Sequence, residues 1–195
     1  GQDGQRTLLG FEQCIIAAGS EPIRLPFVPN DPRVIDSTGA LELAGIPQRL
    51  LVIGGGIIGL EMGTVYSTLG ARLGLERACV YSALGSEVSV VELAEQLMPG
   101  ADPDLVRPLE KRLKARYEQI LLGTKVTKAE ALPEGIRVSY EAGGQTTASV
   151  YDRVLVAVGR VPNGRLINAA AAGVTVNERG FVPVDRQMRT NVAHI

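Results

Sequence analysis

The sequence predicts a mixed α/β protein built on a parallel sheet with a β-meander. An apolar strand, Leu50–Ile53, runs straight into a glycine-rich turn and a helix. A second apolar strand then ends at Val91 and a glutamate, and shorter strands bounded by turn residues follow it. Parallel strands need crossover connections, which are usually helices. Strands that alternate with helices therefore predict a parallel sheet.

The turn at residues 54–59 has the sequence Gly-Gly-Gly-Ile-Ile-Gly, which fits the pattern G-x-G-x-x-G. In this pattern Gly54 permits the tight turn, Gly56 lets the backbone approach a pyrophosphate, and Gly59 lets the helix pack close to the strand. The unpaired N–H groups at the start of the helix attract phosphates. The context of strand, turn and helix therefore predicts a Rossmann-like, dinucleotide-binding domain.

The glutamate at the end of the second strand, Glu92, points to the kind of dinucleotide. A carboxylate at this place can accept hydrogen bonds from the hydroxyls of an adenosine ribose. It would repel a 2′-phosphate, which carries about two negative charges. The residues after it, Leu93-Ala94-Glu95, include no arginine to receive that phosphate. We therefore expect NAD rather than NADP.

Composition narrows the remaining classes of function. The chain has 195 residues, 45% of them hydrophobic, and a net charge of −1, so we expect no attraction to nucleic acid. No apolar run reaches the roughly 18 residues of a membrane span, and no signal peptide is predicted at the start. Cys14 and Cys79 lack the spacing of a metal or redox pair. We expect no metal site, no membrane partner and a cytoplasmic location.

Proline positions and apolar runs predict the organisation along the chain. We expect a strand at 13–19, an extended crossing segment with a short helix at 38–44 capped by Ser37, and a charged helix near 104–118. Further strands are predicted at these places: 124–130, 136–140, 153–158, 174–176 and 181–184. The predicted segments are residues 1–20, the crossing segment at 21–48, residues 49–165 and residues 166–195.

A stretch of 15 residues occurs twice in tandem, at 59–73 and 74–88. The copies align without a gap and share Gly, Leu, Glu, Val, Tyr, Ser, Leu and Gly, which indicates a duplication in the gene or an error in assembling its sequence. Glu92 consequently lies 92 − 59 = 33 residues after the last glycine of the turn, whereas about 20 are expected.

One continuous helix through both copies would be about 22 Å longer and would rotate its apolar face by about 60°. The second strand could not then return beside the first. We therefore predict a helix from Ile57 to Leu69, a break at Gly70, and extrusion of residues 71–85 as an extra helix or loop.

Several motifs together resemble the FAD-dependent pyridine nucleotide–disulfide oxidoreductases, and among them the enzymes that oxidise dihydrolipoamide with NAD. The similarity covers nearly the whole chain and corresponds to the central portion of those enzymes. It rests on the following segments: Ile15-Ile16-Ala17-Ala18-Gly19-Ser20-Glu21-Pro22, Val34-Ile35-Asp36-Ser37-Thr38, Gly54–Glu61, Val156-Ala157-Val158-Gly159-Arg160-Val161-Pro162-Asn163, Arg179–Asp185 and Met188–Val192.

The resemblance implies a role for each segment. Residues 49–165 would form the NAD-binding domain, flanked by incomplete pieces of a FAD-binding domain at 1–20 and 166–195 and preceded by the crossing segment. The implied contacts of NAD are Gly54, Gly55, Gly56, Ile57, Ile58, Gly59, Glu61 near the carboxamide, Glu92, Val126 beside the adenine, and Ala157, Val158, Gly159 and Arg160 towards the nicotinamide. Ala17, Ala18 and Gly19 would lie on the flavin side.

The resemblance also implies that the parent enzyme converts dihydrolipoamide and NAD to lipoamide and NADH. Such a parent would be a homodimer that serves 2-oxoacid dehydrogenase complexes through their lipoyl domains. Its cysteine pair and its histidine–glutamate pair have no counterpart in this sequence, so we expect no catalytic residue here and no turnover by the 195 residues alone. FAD would belong only to the intact parent.

Two other functions remain open on the sequence. The chain could be a segment of another FAD- and NAD-dependent reductase of the same fold, acting on ferredoxin, quinone, peroxide or another disulfide. It could also be a stand-alone NAD-binding module, although its ends resemble strands of another domain. Among single residues, Arg160 favours a functional role, whereas Cys14, His194 and the basic stretch 111–116 favour structural ones.

Overall fold

The computed structural model describes residues 8–42, 45–72 and 86–195. These residues belong to two compact units: one comprises Pro22–Gly159, and the other combines Gly1–Glu21 with Arg160–Ile195. The crossing segment thus belongs to the same unit as the glycine turn.

The larger unit contains a five-stranded sheet in which every pair of neighbours is parallel, as predicted. The spatial order is β2-β9-β3-β4-β5. The strands are β2 Val34–Ile35, β3 Arg49–Ile53, β4 Glu87–Val91, β5 Gln119–Leu121 and β9 Arg153–Val156. The chain crosses the sheet from β2 through β3 and β4 to β5, and it then returns to place β9 between β2 and β3. The strands β4 and β9 therefore lie on opposite sides of β3.

The described residues of the larger unit form three α-helices: α1 Ser37–Leu41, α2 Ile57–Arg72 and α3 Pro103–Lys114. The predicted cap of α1 is wrong by one residue, because the Asp36 carboxylate accepts from the N–H groups of Thr38 and Gly39. Asp36 and Ser37 are both good N-caps, and the sequence alone does not rank two adjacent ones.

The β-meander is confirmed as an antiparallel sheet of β6 Lys125–Leu132, β7 Gly135–Ala142 and β8 Gln145–Tyr151. Arg33 of the crossing segment donates through Nη1 to the carbonyl of Leu132 at the end of β6, 2.8 Å away. The same guanidinium also binds Asp31 and lowers the pKa of that carboxyl to about 2. The crossing segment is thereby bonded to the meander.

Alternation along the parallel strands produces two cores, one on each face of the sheet. Leu50, Val52 and Leu155 face the helices, together with Tyr66 of α2. Leu51, Ile53, Val91, Val154 and Val156 face the meander. The larger unit is therefore a three-layer structure of helices, parallel sheet and antiparallel sheet.

Residues 8–21 and 160–195, the described part of the smaller unit, have little regular structure. They include the first two residues of β1 Ser20–Pro22, the strand β10 Arg160–Pro162 that pairs with β1, and short 3₁₀ helices at Asn163–Arg165 and Ala169–Ala172. The strands predicted at 13–19, 174–176 and 181–184 are wrong, and Ile15 is 92% exposed. These apolar runs have no neighbouring strand in the described residues to pair with, and pairing is what defines a strand. Cys14 is half-buried.

The strand that follows the repeat, β4, pairs with β3 over its whole length despite the 15 extra residues. The predicted break at Gly70 is wrong, since α2 runs on to Arg72, and residues 73–85, most of the predicted extrusion, lie outside the described residues. The chain nevertheless returns to the same helix, because the N–H of Ser86 bonds to the carbonyl of Tyr66 at 3.4 Å. From there β4 pairs in register with β3 over its whole length.

Candidate functional site

The glycine turn lies at the carboxyl edge of the parallel sheet, between the end of β3 and the start of α2. The next strand, β4, is on one side of β3, and β9 is on the other. In open α/β sheets, ligands bind outside the carboxyl ends of the strands at such a switch point. The fold therefore places the turn where a ligand crevice is expected.

Two of the glycines are required by the protein itself. Gly54 has φ +112°, and a Cβ there would lie 2.4 Å from the carbonyl oxygen of Ala157. A Cβ on Gly59 would lie 2.1 Å from the carbonyl oxygen of Gly54. The first glycine thus permits the turn, and the last permits the close contact between helix and strand.

Gly56 is different, because a Cβ there would meet no atom of the described protein within 4 Å. The fold therefore has no steric need of glycine at this place, and open space lies above the backbone. The N–H of Leu60 bonds to the carbonyl of Gly56, so α2 begins here and its first N–H groups lack helical partners. Open space beside unpaired donors suits a pyrophosphate.

Gly55 is held by the segment that follows β4, residues 92–98, which we call the clamp segment. The N–H of Gly55 donates to Oε2 of Glu92 at 2.7 Å, and its carbonyl accepts from the N–H of Met98 at 2.8 Å. A Cβ on Gly55 would lie 2.7 Å from Leu97, which is fully buried. The sequence did not reveal this role of Leu97 and Met98.

The Glu92 carboxylate is half-buried and accepts on both oxygens, since Oε1 receives the N–H of Ala94 at 2.8 Å. The backbone of Glu92 bonds to the end of β5 and to the N–H of Thr124. Each carboxylate oxygen keeps a second acceptor position. Glu92 can therefore still receive ribose hydroxyls, and its neighbour Leu93 is 68% exposed at the same edge.

The other residues of the larger unit that are predicted to contact NAD differ in their exposure. Ile57 is 58% exposed and Glu61 lies on the exposed side of α2, so both are open to a ligand. Ala157, Val158 and Gly159 follow β9 directly at the carboxyl edge. Ile58 is half-buried, and Val126 is buried in β6 within the core facing the meander. Val126 therefore has a packing role whether or not it contacts adenine.

The remaining predicted residues lie in the smaller unit. Arg160 donates to the side-chain and carbonyl oxygens of Ser20, so its guanidinium joins β10 to β1. The side-chain amide of Asn163 donates to the carbonyl of Ala18, and its backbone N–H to that of Gly19. Arg160, Ala18 and Gly19 therefore have a structural role in the smaller unit. Their contacts with a cofactor stay predictions.

A buried tyrosine that the sequence did not single out holds the helix of the site. The hydroxyl of Tyr117 donates to the carbonyl of Leu60 at 2.9 Å and lies 3.0 Å from the hydroxyl of Thr64. Burial raises the pKa of Tyr117. A Cβ on Gly63 would lie 2.8 Å from that hydroxyl. The second copy of the repeat has Ala78 in this place, so only the first copy fits here.

The described residues contain no cluster of three or more side chains able to hold a metal. Within the same ranges, no helix has both the length and the apolar character that crossing a membrane requires.

Comparisons with known proteins identify the family and the fold of the chain. The family model described as pyridine nucleotide-disulphide oxidoreductase matches residues 1–195. The chain is 51% identical over 195 residues to a dihydrolipoyl dehydrogenase of Vibrio parahaemolyticus; the alignment covers 99% of this chain and 38% of the relative. The chain thus spans well under half the length of that relative.

Two solved structures share the fold. The HOCl-induced flavoprotein disulfide reductase RclA of Escherichia coli matches with a TM-score of 0.72 at 27% identity, covering 94% of this chain and 38% of its own. A FAD-dependent pyridine nucleotide-disulphide oxidoreductase of Desulfovibrio vulgaris matches with a TM-score of 0.70 at 28% identity, covering 98% and 46%.

Proposed function

The chain belongs to the pyridine nucleotide-disulphide oxidoreductase family, and from this premise we propose that residues 22–159 bind NAD(H) across the glycine turn. The observation that carries the proposal is the contrast among the glycines. A Cβ on Gly54, Gly55 or Gly59 would clash with protein atoms, whereas a Cβ on Gly56 would lie in open space at the start of a helix. The fold does not require glycine at this position, but a ligand that approaches the backbone closely does, because any side chain would occupy its space.

Each group of the site then has a defined task. The first N–H groups of α2 bind the pyrophosphate, with Ile57 and Ile58 at the start of that helix. The free acceptor positions of Glu92 bind the adenosine ribose, with Val126 on the adenine side. Ala157, Val158 and Gly159 lie along the nicotinamide side, with Glu61 near the carboxamide. NAD supplies a hydride acceptor when it is bound.

For the whole protein of which this chain forms a part, we propose dihydrolipoyl dehydrogenase activity: dihydrolipoamide and NAD⁺ give lipoamide, NADH and H⁺. The support is 51% identity to a protein of that name, against 27% to the disulfide reductase RclA. FAD would be bound by the whole protein, with Ala17, Ala18 and Gly19 on its side. We further propose a cytoplasmic homodimer that serves 2-oxoacid dehydrogenase complexes.

Another reductase of the same fold is the second candidate. The observation that favours it is the similarity in fold to the disulfide reductase RclA, at the lower identity of 27%. The reactive cysteine pair and the histidine–glutamate pair of the whole protein would decide between the two candidates. A stand-alone module remains the third reading, and it would bind the same dinucleotide without a reaction.

We expect the 195-residue chain to bind NADH more tightly than NADPH, because the Glu92 carboxylate would repel a 2′-phosphate. Replacing Glu92 with alanine should cost NADH about 1–3 kcal/mol of binding free energy, as for other charged hydrogen bonds. Titration calorimetry with both nucleotides measures this difference. Tighter binding of NADPH would refute the proposed cofactor.

A further inference from the structure

The Glu92 carboxylate contacts the glycine turn as well as the predicted position of the ribose. Its two oxygens accept from the N–H groups of Gly55 at 2.7 Å and Ala94 at 2.8 Å. The first of these N–H groups belongs to the turn between β3 and α2, and the second belongs to the clamp segment. One side chain therefore joins two loops that are 37 positions apart in the sequence.

The clamp segment encloses Gly55 on its other sides. Met98 donates its N–H to the Gly55 carbonyl, and it does so with φ +52°, a conformation that is uncommon outside glycine. The buried side chain of Leu97 fills the place where a Cβ on Gly55 would stand. Both backbone polar groups of Gly55 are thus satisfied by the clamp segment, which leaves no N–H of Gly55 for a phosphate.

We propose that Glu92 is a positioning residue for the phosphate-binding turn, in addition to its part at the ribose. This proposal rests on the proposed binding of NAD(H). By fixing Gly55, the carboxylate sets the direction of the next backbone N–H groups, those from Gly56 onwards, which receive the pyrophosphate. Because the same oxygens receive the ribose hydroxyls, one carboxylate couples the ribose and pyrophosphate halves of the site.

The charge and length of the side chain both matter for this role. A glutamine at this place could accept with its oxygen from only one of the two N–H groups, because its amide nitrogen is a donor. An aspartate would keep the charge, but it is one methylene shorter and could not reach both N–H groups. We expect each change to loosen the turn even when no ribose hydroxyl is present.

The experiment separates the two roles by altering the ligand as well as the residue. NADH is compared with an analogue whose adenosine carries a 2′,3′-dideoxyribose, which has no hydroxyl for Glu92. Binding of both is titrated to the 195-residue chain and to the Glu92→Gln and Glu92→Asp variants. Glu95→Gln is the matched control, since it removes an exposed carboxylate from the same segment without a bond to the turn.

We expect Glu92→Gln to weaken binding of the dideoxy analogue by about tenfold, the equivalent of one charged hydrogen bond, and Glu95→Gln to leave it unchanged. Affinity for the analogue within about twofold of the parent, with NADH weakened, would show a ribose contact alone and overturn the proposal. Failure of the unaltered chain to bind NADH at all would instead remove the proposed function.

A second measurement covers a variant that unfolds or binds too weakly to titrate. Amide hydrogen exchange of the ligand-free chain reports the bond between Gly55 and Glu92 directly. We expect slow exchange at Gly55 in the unaltered chain and in Glu95→Gln, and faster exchange in Glu92→Asp. Fast exchange at Gly55 in the unaltered chain would overturn the proposal without any ligand.

Discussion

Replacing Gly59 with alanine is expected to destabilise the larger unit by about 3 kcal/mol or more and to abolish NADH binding. The added Cβ would lie 2.1 Å from the carbonyl oxygen of Gly54, which is backbone and cannot rotate away. Overpacking of this kind costs about 1–3 kcal/mol, and a clash with backbone lies at or above the upper end. Helix α2 would have to move off β3, and the phosphate-binding N–H groups would move with it.

The matched control is Gly56→Ala in the same turn. Its Cβ meets nothing within 4 Å, and Gly56 is not among the glycines with positive φ, so we expect stability within about 0.5 kcal/mol of the unaltered chain. Its NADH affinity should nevertheless fall by about tenfold or more, because the methyl group occupies the space of the pyrophosphate. Thermal unfolding and calorimetry together measure both quantities. Normal NADH affinity in Gly56→Ala would contradict the account.

Deleting residues 71–85 is expected to raise the melting temperature and to leave NADH affinity unchanged or improved. Ser86 and Tyr66 are 20 positions apart, yet the N–H of Ser86 bonds to the carbonyl of Tyr66. Removal of 15 residues leaves a separation of five, which is that of the bond closing a Schellman motif at a helix end. Gly70 then occupies the position that favours glycine in this motif, so the deletion completes a helix cap.

The expected gain is about 1 kcal/mol from the shorter loop and the completed cap, or about 2–4 °C for a protein of this size. Deleting residues 59–73 instead gives a chain of the same length that keeps the second copy. That chain places Ala78 against the Tyr117 hydroxyl and Cys79 in the position of Thr64, so it should be the less stable of the two. A higher melting temperature for the chain that keeps the second copy would contradict this interpretation.

The parallel sheet and its glycine turn could be predicted because the signals are local. A buried strand, three glycines and a helix follow one another directly from Leu50, and Val90–Glu92 repeats the strand signal. The strand β8 was missed because its first four residues are exposed and polar or small, so no hydrophobic alternation marks them. Its position is set by pairing with β7, which is a tertiary interaction.

The contacts that complete the site depend on the pairing register of the strands. No short segment of the sequence determines that register. Glu92 reaches Gly55 only because β3 and β4 pair with Ile53 opposite Val91. The clamp segment and Tyr117 contact the turn and its helix from other parts of the chain in the same way. The apolar run at 13–19 failed as a strand for the related reason that apolar residues make a strand only beside a partner.

A crystal structure of the 195-residue chain with NADH would show where the dinucleotide binds and which residues it contacts. We predict that the pyrophosphate lies over Gly56, within hydrogen-bond distance of the N–H groups at the start of α2. We predict that the adenosine ribose hydroxyls bond to Glu92 while its bond to Gly55 persists. A dinucleotide bound away from the carboxyl edge of β3 and β4, or a ribose that does not contact Glu92, would contradict the account.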